Sequence, residues 1–288
     1  MMYGNEVNQI KGILYNGLRR YVFNVGNTRK DDGVDKLIIH ASSAYFTCPR
    51  FVFYVRHRKV RPDMSKGVEL PNSFAVTFGI GLSIEKMVIT SFRRIGSTEI
   101  FGRLLCTNCG YETIANISRA TLTCPNCGAK LRKRQVNLTY KIADDLLIVG
   151  NVDLIMYNSA ISEYSHIYEI KSMNKRDFEN LKFPLLNHQS QVKTYLWLAS
   201  KNRKMLKDTK LNNKYGFIIY VCKEHTKDPI KVFKVTKDMD FVREMNRFVH
   251  ILKVDKLGSR ICPDKNSIVA RNCPAREVCF NIKSKKRR

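Results

Sequence analysis

An α/β fold, with a mixed central sheet flanked by helices, is predicted by three features of the sequence. Strand-like and helix-like segments alternate along the chain instead of falling into separate blocks. Several apolar runs have strand length and are rich in β-branched residues. Two of those runs carry ionisable residues where a buried strand face would lie.

Taken in order, residues 1–30 have an amphipathic helical pattern through Ile10, Ile13, Leu14, Leu18 and Tyr21. Residues 41–60, opening with Ala41-Ser42-Ser43, predict a second helix. A third lies within 72–95, where Phe78-Gly79-Ile80-Gly81 reads as a glycine-led start to a helix carrying Glu85. Paired cysteines fill 100–132, after which 136–142 alternates as a strand should. Asp144-Asp145 turns the chain into a strand over 146–156 with Asp153 in its middle, and Asn158-Ser159 begins the next turn. Another strand covers Ile167-Tyr168-Glu169-Ile170-Lys171. A helix begins near Asn187, an apolar strand spans 215–221, an edge strand spans 230–235, and 241–252 is helical by period. There is no internal repeat. The chain divides into an N-terminal helical part (1–99), a cysteine-rich insertion (100–134), a core (135–255) and a C-terminal cysteine segment with a basic tail (256–288).

Glu169 and Lys171 must share one face of their strand, because strand side chains alternate. Buried there, a carboxylate and an ammonium cost several kcal/mol unless paired or metal-bound. Asp153 stands a hairpin's length upstream, so a divalent cation on two neighbouring strands accounts for both acids. Magnesium accepts carboxylate oxygens, keeps several waters and leaves positions for phosphate. The alternative is an ordinary cross-strand ion pair on a solvated face. Downstream, Gln191 and Tyr195 lie four residues apart and hence on one helix face.

The chain thus offers, in order, Gly81 with Glu85, Gly150 with Asp153, Glu169 with Lys171, and His188 with Gln191 and Tyr195. This series resembles the RecB-like branch of the PD-(D/E)XK nucleases, with its G-x-x-x-(H/E), G-x-x-D, E-x-K and (H)-x-x-Q-x-x-x-Y motifs. Position 85 departs from the commonest form, which carries His. The resemblance implies a restriction-endonuclease-like core and metal-assisted phosphodiester hydrolysis. Glu85, Asp153, Glu169 and the Ile170 carbonyl would hold one or two Mg²⁺ or Mn²⁺. Lys171 would position or deprotonate the attacking water, Gln191 and Tyr195 would orient the substrate strand, and His188 would be structural or contact phosphate.

Nine cysteines divide into two groups and a remainder. Cys106-x2-Cys109 and Cys124-x2-Cys127, with fourteen residues between them, have the glycine-bearing knuckles of a zinc ribbon. Two roles are open to it: binding DNA or a replication or recombination protein, or stapling an insertion. Cys48, Cys262, Cys273 and Cys279 contain no C-x2-C pair. Their one-plus-three layout resembles the iron-sulfur staple of RecB-like exonucleases, including CRISPR-associated (Cas4-type) ones, and implies a 4Fe-4S cluster. Unlinked thiols or a second zinc site are the alternatives. Cys222, in an apolar run, reads as a core thiol.

With 288 residues, the chain can bury one substantial core plus a small module. No apolar run approaches membrane-spanning length and the first residues lack a signal-peptide segment, so a soluble protein of a reducing compartment is expected, cytoplasmic or nuclear. The net charge of +26 argues for a polyanionic partner. Basic runs include Arg56-His57-Arg58-Lys59, Arg93-Arg94, Arg132-Lys133-Arg134 and the tail 283–288, which also reads as a nuclear-localisation-like patch. By resemblance, the activity expected is an exonuclease on single-stranded DNA ends, in recombination, repair or viral DNA processing. An endonuclease of the same fold and a non-catalytic DNA-binding scaffold are the competing readings.

Overall fold

The computed structural model describes residues 36–57, 72–118 and 122–282. The amphipathic pattern of 1–30, the end of the 41–60 segment, the Arg58-Lys59 pair and the basic tail lie outside these residues. The described strands are β1 (Leu37–His40), β2 (Thr98–Cys106), β3 (Glu112–Asn116), β4 (Leu131–Arg134), β5 (Val136–Ala143), β6 (Leu146–Val152), β7 (Leu154–Asn158), β8 (His166–Met173), β9 (Tyr215–Cys222) and β10 (Ile230–Thr236). The helices are α1 (Ala41–Ala44), α2 (Pro49–Arg56), α3 (Asn72–Arg93), α4 (Lys175–Asn180), α5 (Leu186–Lys201), α6 (Met239–Lys253), α7 (Ile268–Arg271) and α8 (Arg276–Phe280).

The expected α/β architecture is present: a large mixed sheet with helices against it. Its order is β10-β9-β8-β7-β2-β3, with β4 also on β2, and β10 is the edge strand foreseen. Only β8 and β9 run parallel in it. Parallel neighbours need a crossover, and α4 and α5 supply it. Helix α5 is enclosed through much of its length, burying Val192, Leu196, Trp197 and Leu198. The Trp197 indole N–H donates to Asn246 Oδ1 at 3.0 Å, so its one polar atom is satisfied. Asp238 caps α6 by accepting from the Phe241 amide at 2.7 Å. Phe241, Met245, Phe248, Val249 and Leu252 then follow at helical spacing and face the core.

Three expectations are corrected. Residues 146–156 are not one strand. β6 belongs to a second, smaller sheet, β1-β6-β5, while β7 belongs to the large one, and Asp153 stands at the corner between them. The physical cause is a side-chain bond: Asp153 Oδ2 accepts from the Ile170 amide at 2.8 Å, fixing the acid against β8. Residues 41–56 form two helices because Cys48-Pro49 interrupts them. Pro49 takes the first helical position of α2, where its missing N–H costs nothing. Helix α3 does not start at the glycines: it begins at Asn72, and Gly81 lies inside it. A Cβ on Gly81 would lie 3.4 Å from Ser172 Oγ, so α3 rests closely on β8 there.

The cysteine segment grows out of the large sheet. The first half of β2 pairs with β7 and the second half with β3 and β4. Among the described residues no helix is long and apolar enough to cross a membrane.

Candidate active site

Strand β8 brings Glu169 and Lys171 to the same face, as its periodicity requires, with Lys171 Nζ 2.6 Å from Glu169 Oε1. Glu169 is 1% exposed, and its Oε2 has no hydrogen-bond partner. Leaving a buried carboxylate oxygen unpaired is costly. The Asp153 carboxyl lies alongside Glu169, and both have pKa values raised by burial, Asp153 also by the neighbouring charges of Glu169 and Glu85. Glu85 is raised by burial and by Glu169. Lys171 stays charged: the carboxylates outweigh the burial that would neutralise it.

Three acids therefore stand against one ammonium, and burial and mutual repulsion disfavour their charged forms unless a further cation is present. That donor set fits a divalent cation, with Glu169 Oε2 as the unsatisfied ligand. The three acids do not converge equally. Glu85 couples to the others through charge and is only partly buried. Among the described residues, only the four ribbon cysteines form a group of three or more ligand atoms all within 4.8 Å of one another.

The rest of the signature builds the backbone under the acids. A Cβ on Gly150 would meet Tyr195 Cδ1 at 2.8 Å, so only glycine lets the ring pack there. The Tyr195 hydroxyl accepts from Gln191 Nε2 and donates to the Asn151 carbonyl, each at 2.7 Å. Tyr195 is 2% exposed and its single proton is spent. It braces the turn leading to Asp153, and the expected contact between this hydroxyl and a substrate strand is not how it is placed. His188 Nδ1 lies 2.8 Å from the Tyr220 hydroxyl, which accepts from the Leu185 amide at 3.1 Å. Burial and the nearby Lys171 push the His188 pKa down to about 4, so the ring is neutral at ordinary pH.

Sequence reasoning missed Gln135, whose Nε2 donates to Glu85 Oε1 at 2.9 Å. It lies between β4 and β5. Val136 pairs with Val152 at the end of the β5–β6 ladder, so Gln135 is fixed beside Asp153. No spacing rule links it to a helix residue so far away in the chain.

The ribbon cysteines close as expected. Cys106 and Cys127 Sγ atoms are 3.5 Å apart, and those of Cys109 and Cys124 3.6 Å. A tetrahedral ion with sulfur bonds near 2.3 Å needs about 3.8 Å. The knuckles repeat each other: Cys106 and Cys124 amides donate to Tyr111 and Ala129 carbonyls, both at 2.8 Å. Gly110 and Gly128 supply φ of 74° and 72°, which a side chain would oppose. Cys48, Cys262, Cys273 and Cys279 also gather. Cys279 is buried with Tyr54 and Ala275, and the Cys273 thiol is pushed up by burial and by all three other cysteines. Gly258 lets the C-terminal segment approach Pro49 closely, since a Cβ there would lie 2.8 Å from the proline ring. Cys222 is buried in the main core.

The sequence model of the PD-(D/E)XK nuclease superfamily matches residues 98–280. Among solved structures, a crystal structure of SSO0001 is 17% identical, covering 93% of this chain and 97% of its own, with a TM-score of 0.45. Rai1 of Scheffersomyces stipitis, in complex with (3'-NADP)+ and calcium ion, is 9% identical over 93% of this chain and 65% of its own, with a TM-score of 0.21. No curated protein matches the chain.

Proposed function

Since the chain belongs to the PD-(D/E)XK nuclease superfamily, we propose that it is a metal-dependent DNA nuclease acting as an exonuclease on single-stranded ends. The observation that carries the hydrolytic reading is the buried Glu169, paired with Lys171 through one oxygen and unsatisfied at the other, beside Asp153.

Asp153 and Glu169 would hold Mg²⁺ or Mn²⁺ directly, the Ile170 carbonyl would add a ligand, and Glu85 would reach the ion through water or hold a second one. The ion, when bound, polarises the phosphoryl group and makes water more acidic. Lys171 keeps its proton and aims its ammonium at the place where an attacking water and the developing phosphorane charge would sit. Gln191 and Tyr195 hold the Asn151 carbonyl, and with it the turn that presents Asp153. His188, neutral and tethered to Tyr220, borders Lys171 and offers a hydrogen bond to a phosphate oxygen.

Two metal sites complete the reading. The close-set thiols of Cys106, Cys109, Cys124 and Cys127 suit one zinc ion. Cys48, Cys262, Cys273 and Cys279 gather without closing to single-ion spacing, which suits the larger 4Fe-4S cluster. Bound at the junction of α2 with the C-terminal segment, it would clamp the ends of the nuclease domain. We place the activity in DNA recombination, repair or viral DNA processing.

The deciding experiment compares wild-type and Lys171→Ala protein on linear and circular single-stranded DNA with Mn²⁺. Wild type should degrade linear DNA and spare circles, and the variant should lose at least about 100-fold in rate. Cleaved circles would make the protein an endonuclease. Wild-type rate in the variant would sink the mechanism.

A further inference from the structure

The ribbon strand β4 reads Leu131-Arg132-Lys133-Arg134, and its side chains alternate. Leu131 is buried on the face that packs against α3, and Lys133 Nζ donates to the Ile117 carbonyl at 2.6 Å. Arg132 and Arg134 take the opposite face and are exposed. Strand pairing carries that face across the sheet. Arg134 is opposite Arg103 on β2, Phe101 on the same face of β2 is opposite Ile155 on β7, and Ile155 is opposite Ile167 on β8. Ile167 shares its face with Glu169 and Lys171. The two exposed arginines and the acids therefore lie on one face of the sheet.

Neither Arg132 nor Arg134 has a hydrogen-bond or ion-pair partner among the described residues. Arg103 does, with Nε 2.7 Å from Glu112 Oε1, so that acid is already taken. Like charges placed directly across a ladder repel, and Arg134 against Arg103 is such a pair. An anion lying over them relieves it. Arg132 and Arg134, two residues apart on a strand, stand about 6.7 Å from each other. That is comparable to the step between phosphates of an extended nucleic-acid strand. Strands β4 and β7 pair with successive stretches of the same edge of β2, Arg103–Cys106 and Thr98–Phe101, so β4 continues the line of β7.

Resting on the nuclease reading of the acid cluster, we propose that β4 is the track for the substrate's sugar-phosphate backbone, with Arg132 and Arg134 contacting phosphates of a single strand as it runs along the ribbon to Asp153 and Glu169. The ribbon is then an arm of the active site. A guanidinium suits this role because its planar fork matches phosphate oxygens. The contact reads no bases, so it serves any sequence.

The test measures binding of a labelled single-stranded oligonucleotide as a function of salt, in protein carrying Glu169→Gln so that nothing is cut. Arg132→Ala with Arg134→Ala should reduce the slope of log affinity against log salt by about 1.4, or 0.7 for each phosphate of a single strand that the protein no longer neutralises. Lysine at both positions should keep the slope, which separates charge from folding. Arg243→Ala with Arg247→Ala, on the outer face of α6, should leave it unchanged. In otherwise wild-type protein, the β4 alanines should raise KM and spare kcat. An unchanged slope in the β4 variant, or an equal loss in the α6 variant, overturns the track while leaving the chemistry standing. If wild type cleaves nothing yet the β4 alanines still flatten the slope, the track stands and the hydrolytic reading falls.

Discussion

The Tyr195 hydroxyl gives its proton to the Asn151 carbonyl, and its ring fills the space a side chain at position 150 would need. A glycine and, some forty residues later, a glutamine and a tyrosine one helical turn apart thus act on one turn, the turn that aims Asp153. Tyr195→Phe removes only an oxygen. It leaves a carbonyl and the Gln191 amide unpaired, which should cost about 1–3 kcal/mol in urea unfolding. If the turn positions the acid, Mn²⁺ affinity measured by calorimetry should also fall by about 10-fold, the scale for groups that orient metal ligands. A variant losing stability with unchanged Mn²⁺ affinity would reduce Tyr195 to a core residue. Most of these residues were legible in order, because Gly150, Asp153, Glu169, Lys171, Gln191 and Tyr195 sit at fixed offsets within short segments. Their division of labour was not. Nothing local distinguishes a tyrosine that touches substrate from one that holds a carbonyl, and Gln135 becomes visible only when β4 and α3 are brought together.

Arg56, at the end of α2, binds Asp145 in the β5–β6 turn through two nitrogens at 3.0 and 3.1 Å, and Asp255 beyond α6 at 2.8 Å. One guanidinium thus joins three elements around the small sheet. With Asp145 and Asp255 both partly in solvent, Arg56→Ala should cost about 1–2 kcal/mol. Its pH dependence has a definite sign. The hydrogen bond from Arg56 holds the Asp145 carboxyl below its usual range. A group whose pKa is lower folded than unfolded contributes fully above its unfolded value, about 4, and that contribution disappears as pH falls through the folded value. The variant's deficit should therefore be full at neutral pH and shrink in acid. A deficit that grows on acidification would contradict the assignment. Strands bounded by turns were legible at this scale. The break between β6 and β7 was not, because apolar residues flank Asp153 on both sides and a hydrophobic run does not record a change of sheet. The break at Cys48-Pro49 could have been read from the proline alone.

Across the whole molecule, the alternation of strands and helices and the basic excess pointed to an α/β protein with a polyanionic partner, and the superfamily match agrees with both. The two cysteine groups differ in how far sequence reaches. Paired C-x2-C knuckles are local, so their closure could be foreseen. The second group joins α2 to a segment some two hundred residues later, and only a resemblance suggested it. Anaerobic purification should give brown protein with about four iron and one zinc per chain. Colourless protein holding about two zinc ions would replace the cluster with a second zinc site. Strand β2 begins in the large sheet and ends at the first knuckle, so the four-cysteine tip and the nuclease core share a single ribbon of backbone. Anyone shortening this chain to a minimal enzyme must therefore cut beyond Cys106 and before Leu131, splicing β2 to β4 with a tight turn. Excision at residues 100 and 134 would strip β7 of its neighbour and should give insoluble product, whereas the inner deletion should still melt cooperatively.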